Sequence, residues 1–172
     1  MQQNRNLEMT ETKNIAIQKP ELTEAEILEI QGQVTEKLNS YYAMGQYDER
    51  VKTDIYHFPF LYLGDEFAPA FAGQDEEEMF EVSKKRFEML AKAEPDLDHS
   101  IYSINSITIL NKLSVIVTGN NHSFRKDGSL ILDEGVIYIL SNIEEKGWRI
   151  TAMTSIPVNT SLGLTKNSTS VM

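Results

Sequence analysis

The first clear pattern in the chain is an apolar stripe that begins shortly after residue 20. Apolar residues recur there at three- and four-residue spacing, which predicts an amphipathic helix of about 21 residues. The members of the stripe are Ile27, Ile30, Val34, Leu38 and Tyr41. Thr23 and Glu26, three positions later, have the pattern of a capping box. Gly45 can adopt the left-handed backbone conformation that commonly ends a helix. Both ends of this helix are therefore encoded locally.

A short second helix is predicted over residues 48–55, because Pro59 disfavours helical backbone at Phe58. This prediction places His57 on the exit turn of the helix. Two short strands are then expected over residues 60–63 and 66–71, on either side of the turn formed by Gly64 and Asp65.

A third helix is predicted between Asp75 and Pro95. Asp75 has the position of an N-cap and Glu78 that of its capping-box partner. The acids of the first turn suit the positive end of the helix dipole, and Pro95 ends the helix.

After Pro95 the apolar period changes from the helical value to two, which is the period of strands. Four strands are predicted over residues 99–110, 113–125, 130–141 and 148–156. The turns between them are short, so neighbouring strands must pair antiparallel. Helices followed by an antiparallel meander indicate the α+β class, with the helices covering one face of the sheet.

Composition narrows the function classes. The chain has 172 residues, a formal net charge of −10 and no cysteine. The negative charge opposes binding to nucleic acid, and the missing thiols exclude disulfides and thiolate zinc sites. No His-x-His or similar pair indicates a metal site, so we predict no metal and no cofactor.

The termini differ in composition from the middle of the chain. Residues 1–20 are polar and residues 158–172 are rich in Ser, Thr and Asn, so a flexible lead and a flexible tail are expected around one domain at 21–157. No signal peptide and no membrane span is encoded, which favours a cytoplasmic protein without membrane contact.

The order of elements resembles the NTF2-like superfamily, which includes ketosteroid isomerase, scytalone dehydratase and SnoaL-type polyketide cyclases. The local carriers of the resemblance are residues 56–59 (Tyr-His-Phe-Pro), 126–129 (Lys-Asp-Gly-Ser) and 147–150 (Gly-Trp-Arg-Ile). The resemblance implies a cone in which three N-terminal helices pack on a strongly curved, mostly antiparallel sheet of about six strands. It also implies an internal hollow and, in many members, a homodimer formed through the outer sheet face.

Two residues are the candidates for acid/base catalysis. His57 near a pocket mouth could move a proton near neutral pH, and Asp65 falls near the position of the base in ketosteroid isomerase. The alternatives are a half-buried histidine bound to a backbone carbonyl and an aspartate that merely forms a turn. The tyrosine register of ketosteroid isomerase is not reproduced, since Ser40 falls closest to that position.

The half of the chain before Pro95 is rich in aromatic residues, which either line a pocket or fill a core. A polar patch interrupts the apolar pattern of the second long strand, where alternation puts Asn120 and His122 on one face. The predicted ligand-binding residues are Tyr42, Tyr62, Phe80, Phe87, Asn120 and His122.

Two functions from different classes remain open. The first is a cofactor-free isomerase, dehydratase or cyclase that acts on a small apolar, carbonyl-bearing molecule. The second is a non-catalytic module that binds a ligand or assembles as a dimer. Apolar residues on more than one face of the meander favour pairing through the outer sheet face. They are Ile101, Ile107, Ile109, Val115, Val117, Ile137 and Ile139.

Overall fold

The structure of the chain is a computed structural model that describes residues 21–43, 55–65, 69–158 and 168–170. Its elements are α1 (Glu24–Ala43), β1 (Tyr56–Tyr62), β2 (Phe71–Gly73), α2 (Glu76–Ala93), β3 (Leu97–Asn111), β4 (Ser114–Arg125), β5 (Leu130–Ile143), β6 (Gly147–Ile156) and β7 (Ser168–Ser170). The predicted lead and nearly all of the predicted second helix lie outside the described residues. Ile55, the last residue of that prediction, occupies a turn.

Both predicted helix starts are confirmed by their hydrogen bonds. At α1 the Thr23 amide donates to the Glu26 carboxylate at 2.9 Å, and the Glu26 amide donates to Thr23 Oγ1 at 3.3 Å. At α2 the Glu78 amide donates to Asp75 Oδ1 at 2.9 Å, while the Glu78 carboxylate accepts from the Gln74 amide. Each cap satisfies amide groups that the helix leaves unpaired.

The strands form one open, curved sheet in the order β2-β1-β6-β5-β4-β3-β7. Only β1 and β6 run parallel, and every other neighbouring pair is antiparallel. The α+β class and the mostly antiparallel sheet are therefore confirmed. The edge strand β7, which pairs with β3, lies in the segment predicted as a flexible tail and was not predicted.

The region around β1 differs from the prediction. His57 lies on β1 and not on the exit turn of a helix, because β1 already begins at Tyr56. Tyr56, Phe60 and Tyr62 are buried from this strand, so aromatic burial determines its conformation. The second short strand is Phe71–Gly73 and not residues 66–71, and it pairs antiparallel with β1.

The four long strands begin and end within about two residues of the predicted bounds. Side chains stabilise the turns between them. The Leu113 amide donates to Asn111 Oδ1 at 2.8 Å, and the Ser129 amide donates to Asp127 Oδ1 at 2.9 Å. Gly128 has a φ of 83°, a value that glycine adopts without strain.

The core lies between α1 and one face of the sheet, here called the helix-facing side. Two hydrogen bonds identify this side: Trp148 Nε1 donates to Gln33 Oε1 at 2.9 Å, and the hydroxyls of Tyr42 and Tyr138 lie 2.6 Å apart. The fully buried residues of this layer include Val34, Leu38, Val115, Val117, Leu140 and Ile150. The helix-facing side is therefore the core side of the sheet.

Apolar residues occur on both faces of the meander, as the sequence indicated. The pairing registers place them on alternate sides of the strands. Ile107, Ile109, Val115 and Val117 lie on the helix-facing side, whereas Ile101, Ile137 and Ile139 lie on the opposite face, here called the outer side. Ile101 is 47% exposed. Pairing of two chains through the outer side stays a prediction.

Candidate functional site

Five tyrosines meet where the C-terminal end of α1 faces the sheet. We call them the tyrosine cluster: Tyr41 and Tyr42 of α1, Tyr56 of β1, Tyr102 of β3 and Tyr138 of β5. The hydroxyls of Tyr41 and Tyr56 lie 2.7 Å apart, within hydrogen-bond distance. Tyr42 is bonded to Tyr138 and stacks on Tyr102, with ring centroids 5.1 Å apart and 12° between the ring planes. Aromatic rings with a few polar tips are typical of small-molecule sites.

Tyr102 occupies space that a glycine leaves open. A Cβ on Gly119 would lie 2.5 Å from Tyr102 Cζ and 2.4 Å from the Ser103 carbonyl oxygen. In the space over Gly119, the Tyr102 hydroxyl donates to the Val136 carbonyl oxygen at 3.0 Å. Gly119 therefore permits Tyr102 to lie flat against the helix-facing side.

Burial holds the inner phenols of the cluster in their neutral form. It raises the pKa of Tyr102 above the ordinary value of 10.0, and the neighbouring Tyr42 adds to the effect. Burial, followed by the surrounding phenols, likewise raises the pKa of Tyr138, which is 2% exposed. At neutral pH both hydroxyls can donate hydrogen bonds.

Tyr62 and Asp65 form a second polar pair on the helix-facing side. The buried Tyr62 hydroxyl donates to the Asp65 carboxylate. Tyr62 pairs with Met153 across β1 and β6, and Met153 pairs with Tyr138 across β6 and β5. Since neighbouring strands lie about 4.8 Å apart, Tyr62 and Tyr138 stand roughly 10 Å apart in one row.

Beyond the tyrosine cluster, the helix-facing side becomes polar. We call the three residues involved the polar band: Asn121 of β4, Glu134 of β5 and Ser155 of β6. Asn121 and Glu134 are direct cross-strand partners, and the Ser155 hydroxyl donates to the Glu134 carboxylate. Asn121 is also the partner of Tyr102 across β3 and β4. The band therefore adjoins the tyrosine cluster.

The Oδ1 atom of Asn121 is buried and has no hydrogen-bond donor among the described residues. A buried polar atom without a partner is rare, because burial removes the hydrogen bond that water would make. Ser123, which follows on the same side, is satisfied by the Ser100 hydroxyl at 2.9 Å.

Two predicted ligand-binding residues lie on the outer side, away from the tyrosine cluster. His122 Nδ1 lies 3.2 Å from the carboxylate of Asp133, its cross-strand partner. Asn120 is 6% exposed and its Oδ1 accepts from Asn105 Nδ2 at 3.4 Å. Alternation placed Asn120 and His122 correctly on one face, but the sheet separates them from Tyr42 and Tyr62.

The remaining predicted site residues are not brought together. His57 is half-buried on β1, and the Asp65 carboxylate accepts a hydrogen bond from the Tyr62 hydroxyl. Phe80 lies near the N-terminal end of α2 in a groove of about 450 Å³, whose described lining consists of Asp75, Glu76, Glu77 and Phe80. Phe87 lies on α2, and its side chain is outside the described part of the chain.

A larger groove, of about 550 Å³, follows the exposed flank of α1. Its described lining runs from Leu28 to Ser40 and includes Ile107 of β3. None of the predicted site residues is among this described lining. The space beneath α1 that the resemblance implied to be hollow contains the packed rings of the tyrosine cluster.

Sequence reasoning missed the polar band because it depends on strand parity, that is, on which of the two alternating sets of residues in a strand faces the helices. In β4 both Val115 and Ile116 are apolar, so the sequence does not show which of the two alternating sets faces the helices. The structure assigns Val115, Val117 and Asn121 to the helix-facing set. A signal was present in the pair Asn120 and Asn121, of which alternation must turn one toward the core side.

Among the described residues, no group of three His, Asp or Glu side chains could hold a metal ion. His122 and Asp133 do meet, but His57 lies on β1, two strands away from β5 in the sheet.

Neither of the helices described here combines the length and apolar character that crossing a membrane requires.

The sequence profile of the family described as NTF2-like protein (DUF6841) matches residues 28–158. Curated proteins give no significant match to the sequence. A domain of unknown function with a cystatin-like fold from Nostoc punctiforme is structurally similar, with a TM-score of 0.56, 12% identity and 81% of each chain covered.

Two further solved structures share the fold. A ketosteroid isomerase-like protein from Erwinia carotovora atroseptica has a TM-score of 0.53 and 15% identity, over 77% of this chain and 96% of the other. A protein from Catenulispora acidiphila in complex with S-DNPA has a TM-score of 0.51 and 12% identity, over 77% and 93%. At such identities the likeness shows the fold alone. Because the family profile spans most of the sequence, the chain belongs to this NTF2-like family.

Proposed function

We propose that the chain binds a small apolar molecule on the helix-facing side of the sheet, against Tyr42 and Tyr102. The observation that carries the proposal is the hydrogen bond between Tyr42 and Tyr138, which places two hydroxyls among the aromatic rings of the tyrosine cluster. Tyr42 and Tyr102 are half-buried, so their stacked rings are partly accessible. A flat apolar ligand gains most from such a surface, because ring stacking adds to the burial of apolar area.

The phenols also suit a ligand that carries a carbonyl. A hydroxyl donates one proton and accepts through its lone pairs, so a carbonyl oxygen can replace one phenol as the acceptor of the other. Tyr138 is neutral and can donate at neutral pH, and burial raises its pKa further above the ordinary value of 10.0. The structurally similar protein from C. acidiphila was solved in complex with S-DNPA.

Ligand-observed NMR with toluene and acetophenone tests the proposal, since it detects millimolar affinities. Both probes are expected to bind the purified chain, and Tyr102→Leu is expected to weaken them about tenfold by removing half of the stacked pair. His122→Leu, on the outer side, is the control and should bind as the unmodified chain does. Binding that is unchanged in the Tyr102 variant, or absent for both probes, contradicts the proposal.

Cofactor-free acid/base chemistry is the second candidate, and the Tyr62–Asp65 pair favours it. A carboxylate that accepts from a buried phenol is fixed in position and can accept a proton from a bound molecule. His57 and Asp65 are the proposed proton carriers. If His57→Ala and Asp65→Asn leave turnover of an identified substrate within about a factor of two, these roles are wrong, since such groups contribute about 10² or more.

Pairing of two chains through the outer side is a separate proposal. Ile101, Ile137 and Ile139 supply apolar surface there, and Ile101 is 47% exposed. Light scattering should report a dimer at micromolar concentration, and Ile101→Lys should shift it toward the monomer. A monomer at that concentration for the unmodified chain contradicts the proposal.

A further inference from the structure

We infer that the polar band of Asn121, Glu134 and Ser155 is a subsite for a hydrogen-bond donor carried by the ligand, with a protonated amine preferred over a hydroxyl. The inference rests on the proposed function, because the band matters only if a molecule occupies the adjacent tyrosine cluster. It adds the chemical class of the head group that the ligand carries.

The position of the band follows from strand register. Asn121 is the direct cross-strand partner of both Tyr102 and Glu134, so it lies between the tyrosine cluster and the Glu134 carboxylate. Side chains of such cross-strand partners lie about 5 Å apart. A molecule stacked near Tyr102 therefore reaches Asn121 with a head group of one or two atoms.

The band presents acceptors. The Asn121 Oδ1 atom is buried without a donor among the described residues, and an ionised carboxylate such as that of Glu134 only accepts. The neighbouring Tyr102 hydroxyl already donates its hydrogen bond to the Val136 carbonyl oxygen, 3.0 Å away. A ligand donor placed here would satisfy the orphaned oxygen.

Charge favours a cation among the possible donors. Glu134 carries a carboxylate beside Asn121, and the whole chain has a formal net charge of −10. A negative field attracts a cationic ligand and strengthens its hydrogen bonds. An ammonium group has three donors, enough to engage Asn121 and Glu134 together.

An orphaned acceptor that serves binding also weakens the unliganded fold. A buried polar atom left without a partner carries an uncompensated desolvation cost, which an apolar group of similar shape avoids. Asn121→Leu is therefore expected to keep or raise the melting temperature while it weakens the donor ligand. A purely structural Asn121 would behave in the opposite way, with a lower melting temperature and unchanged binding.

Ligand-observed NMR with toluene, benzyl alcohol and benzylamine tests the subsite. These probes share one ring and differ in the donor. Benzylamine should bind about tenfold more tightly than toluene, with benzyl alcohol between them. Asn121→Leu should remove the advantage of both donors, whereas Glu134→Gln should reduce only that of benzylamine. Asn120→Leu, the neighbour on the outer side, is the matched control and should preserve the order.

The outcomes separate the two proposals. Equal affinity of the three probes, or an unchanged preference in Asn121→Leu together with a lower melting temperature, overturns the subsite and leaves the proposed binding against Tyr42 and Tyr102 standing. Absence of binding by all three probes overturns the proposed function and the subsite together. If Asn121→Leu does not fold, Glu134→Gln still decides: an unchanged advantage of benzylamine over benzyl alcohol overturns the preference for the amine.

Discussion

The ring of Tyr102 lies against the backbone of Gly119, on the neighbouring strand, in space that a methyl group would fill. A Cβ at Gly119 would approach Tyr102 Cζ to 2.5 Å and the Ser103 carbonyl oxygen to 2.4 Å. Such distances are far below van der Waals contact, and one of the two neighbours is backbone that cannot rotate away. The glycine thus determines where the central phenol of the tyrosine cluster sits.

Gly119→Ala is therefore expected to lower the free energy of unfolding by about 1–3 kcal/mol, the usual effect of overpacking. Chemical denaturation with matched baselines measures it. Gly32→Ala is the control, because a Cβ at Gly32 meets nothing within 4 Å and alanine is the better helix former. A Gly119 variant whose stability is within about 0.5 kcal/mol of the unmodified chain would contradict the packing described here.

The hydroxyls of Tyr42 and Tyr138 are expected to be energetically coupled. Their oxygens lie 2.6 Å apart, so Tyr138→Phe removes the partner of Tyr42 inside the cluster, and Tyr42→Phe does the same to Tyr138. Each single variant should lose about 1–2 kcal/mol of unfolding free energy, whereas the double variant should lose less than the sum. Strict additivity in this double-mutant cycle would show that the two phenols do not form the bond.

Elements whose information is local were predictable from the sequence. The capping residues Thr23 and Asp75 act as predicted, because a cap depends on residues three positions apart. The four long strands were equally predictable, since strand-forming segments joined by short turns leave one pairing scheme. The parallel neighbour β1–β6 joins residues about 90 positions apart and leaves no local signal.

The candidate site was harder to predict than the fold, since it depends on strand parity. One residue separates Asn120 on the outer side from Asn121 on the helix-facing side, and a single-residue shift exchanges the faces of a strand. With Val115 and Ile116 both apolar, the sequence carries no preference between the two parities. The core tyrosines Tyr102 and Tyr138 were missed for a related reason, because aromatic residues on strands fit either face.

The cap of α1 provides a prediction about local stability. Thr23→Ala should lower the free energy of unfolding by about 1 kcal/mol, since Thr23 Oγ1 accepts from the Glu26 amide at 3.3 Å. For a chain of this size the melting temperature should fall by roughly 2–4 °C. Thr23→Ser retains the hydroxyl and is the matched control. Equal melting temperatures of the alanine and serine variants would exclude a stabilising cap.

Alkaline titration tests the buried phenols, because the pKa values of Tyr102 and Tyr138 are raised above 10.0. Their contribution to stability is complete below about pH 10 and is lost as the pH rises through the folded-state pKa values, since only the unfolded chain ionises in between. In that pH range each of the two groups should make the free energy of unfolding fall more steeply, by up to about 1.4 kcal/mol per pH unit. Tyrosinate absorbance should show the phenols of Tyr102 and Tyr138 ionising only on unfolding. Tyr102→Phe should make this pH dependence less steep, and free titration of every tyrosine in the folded chain would contradict the burial.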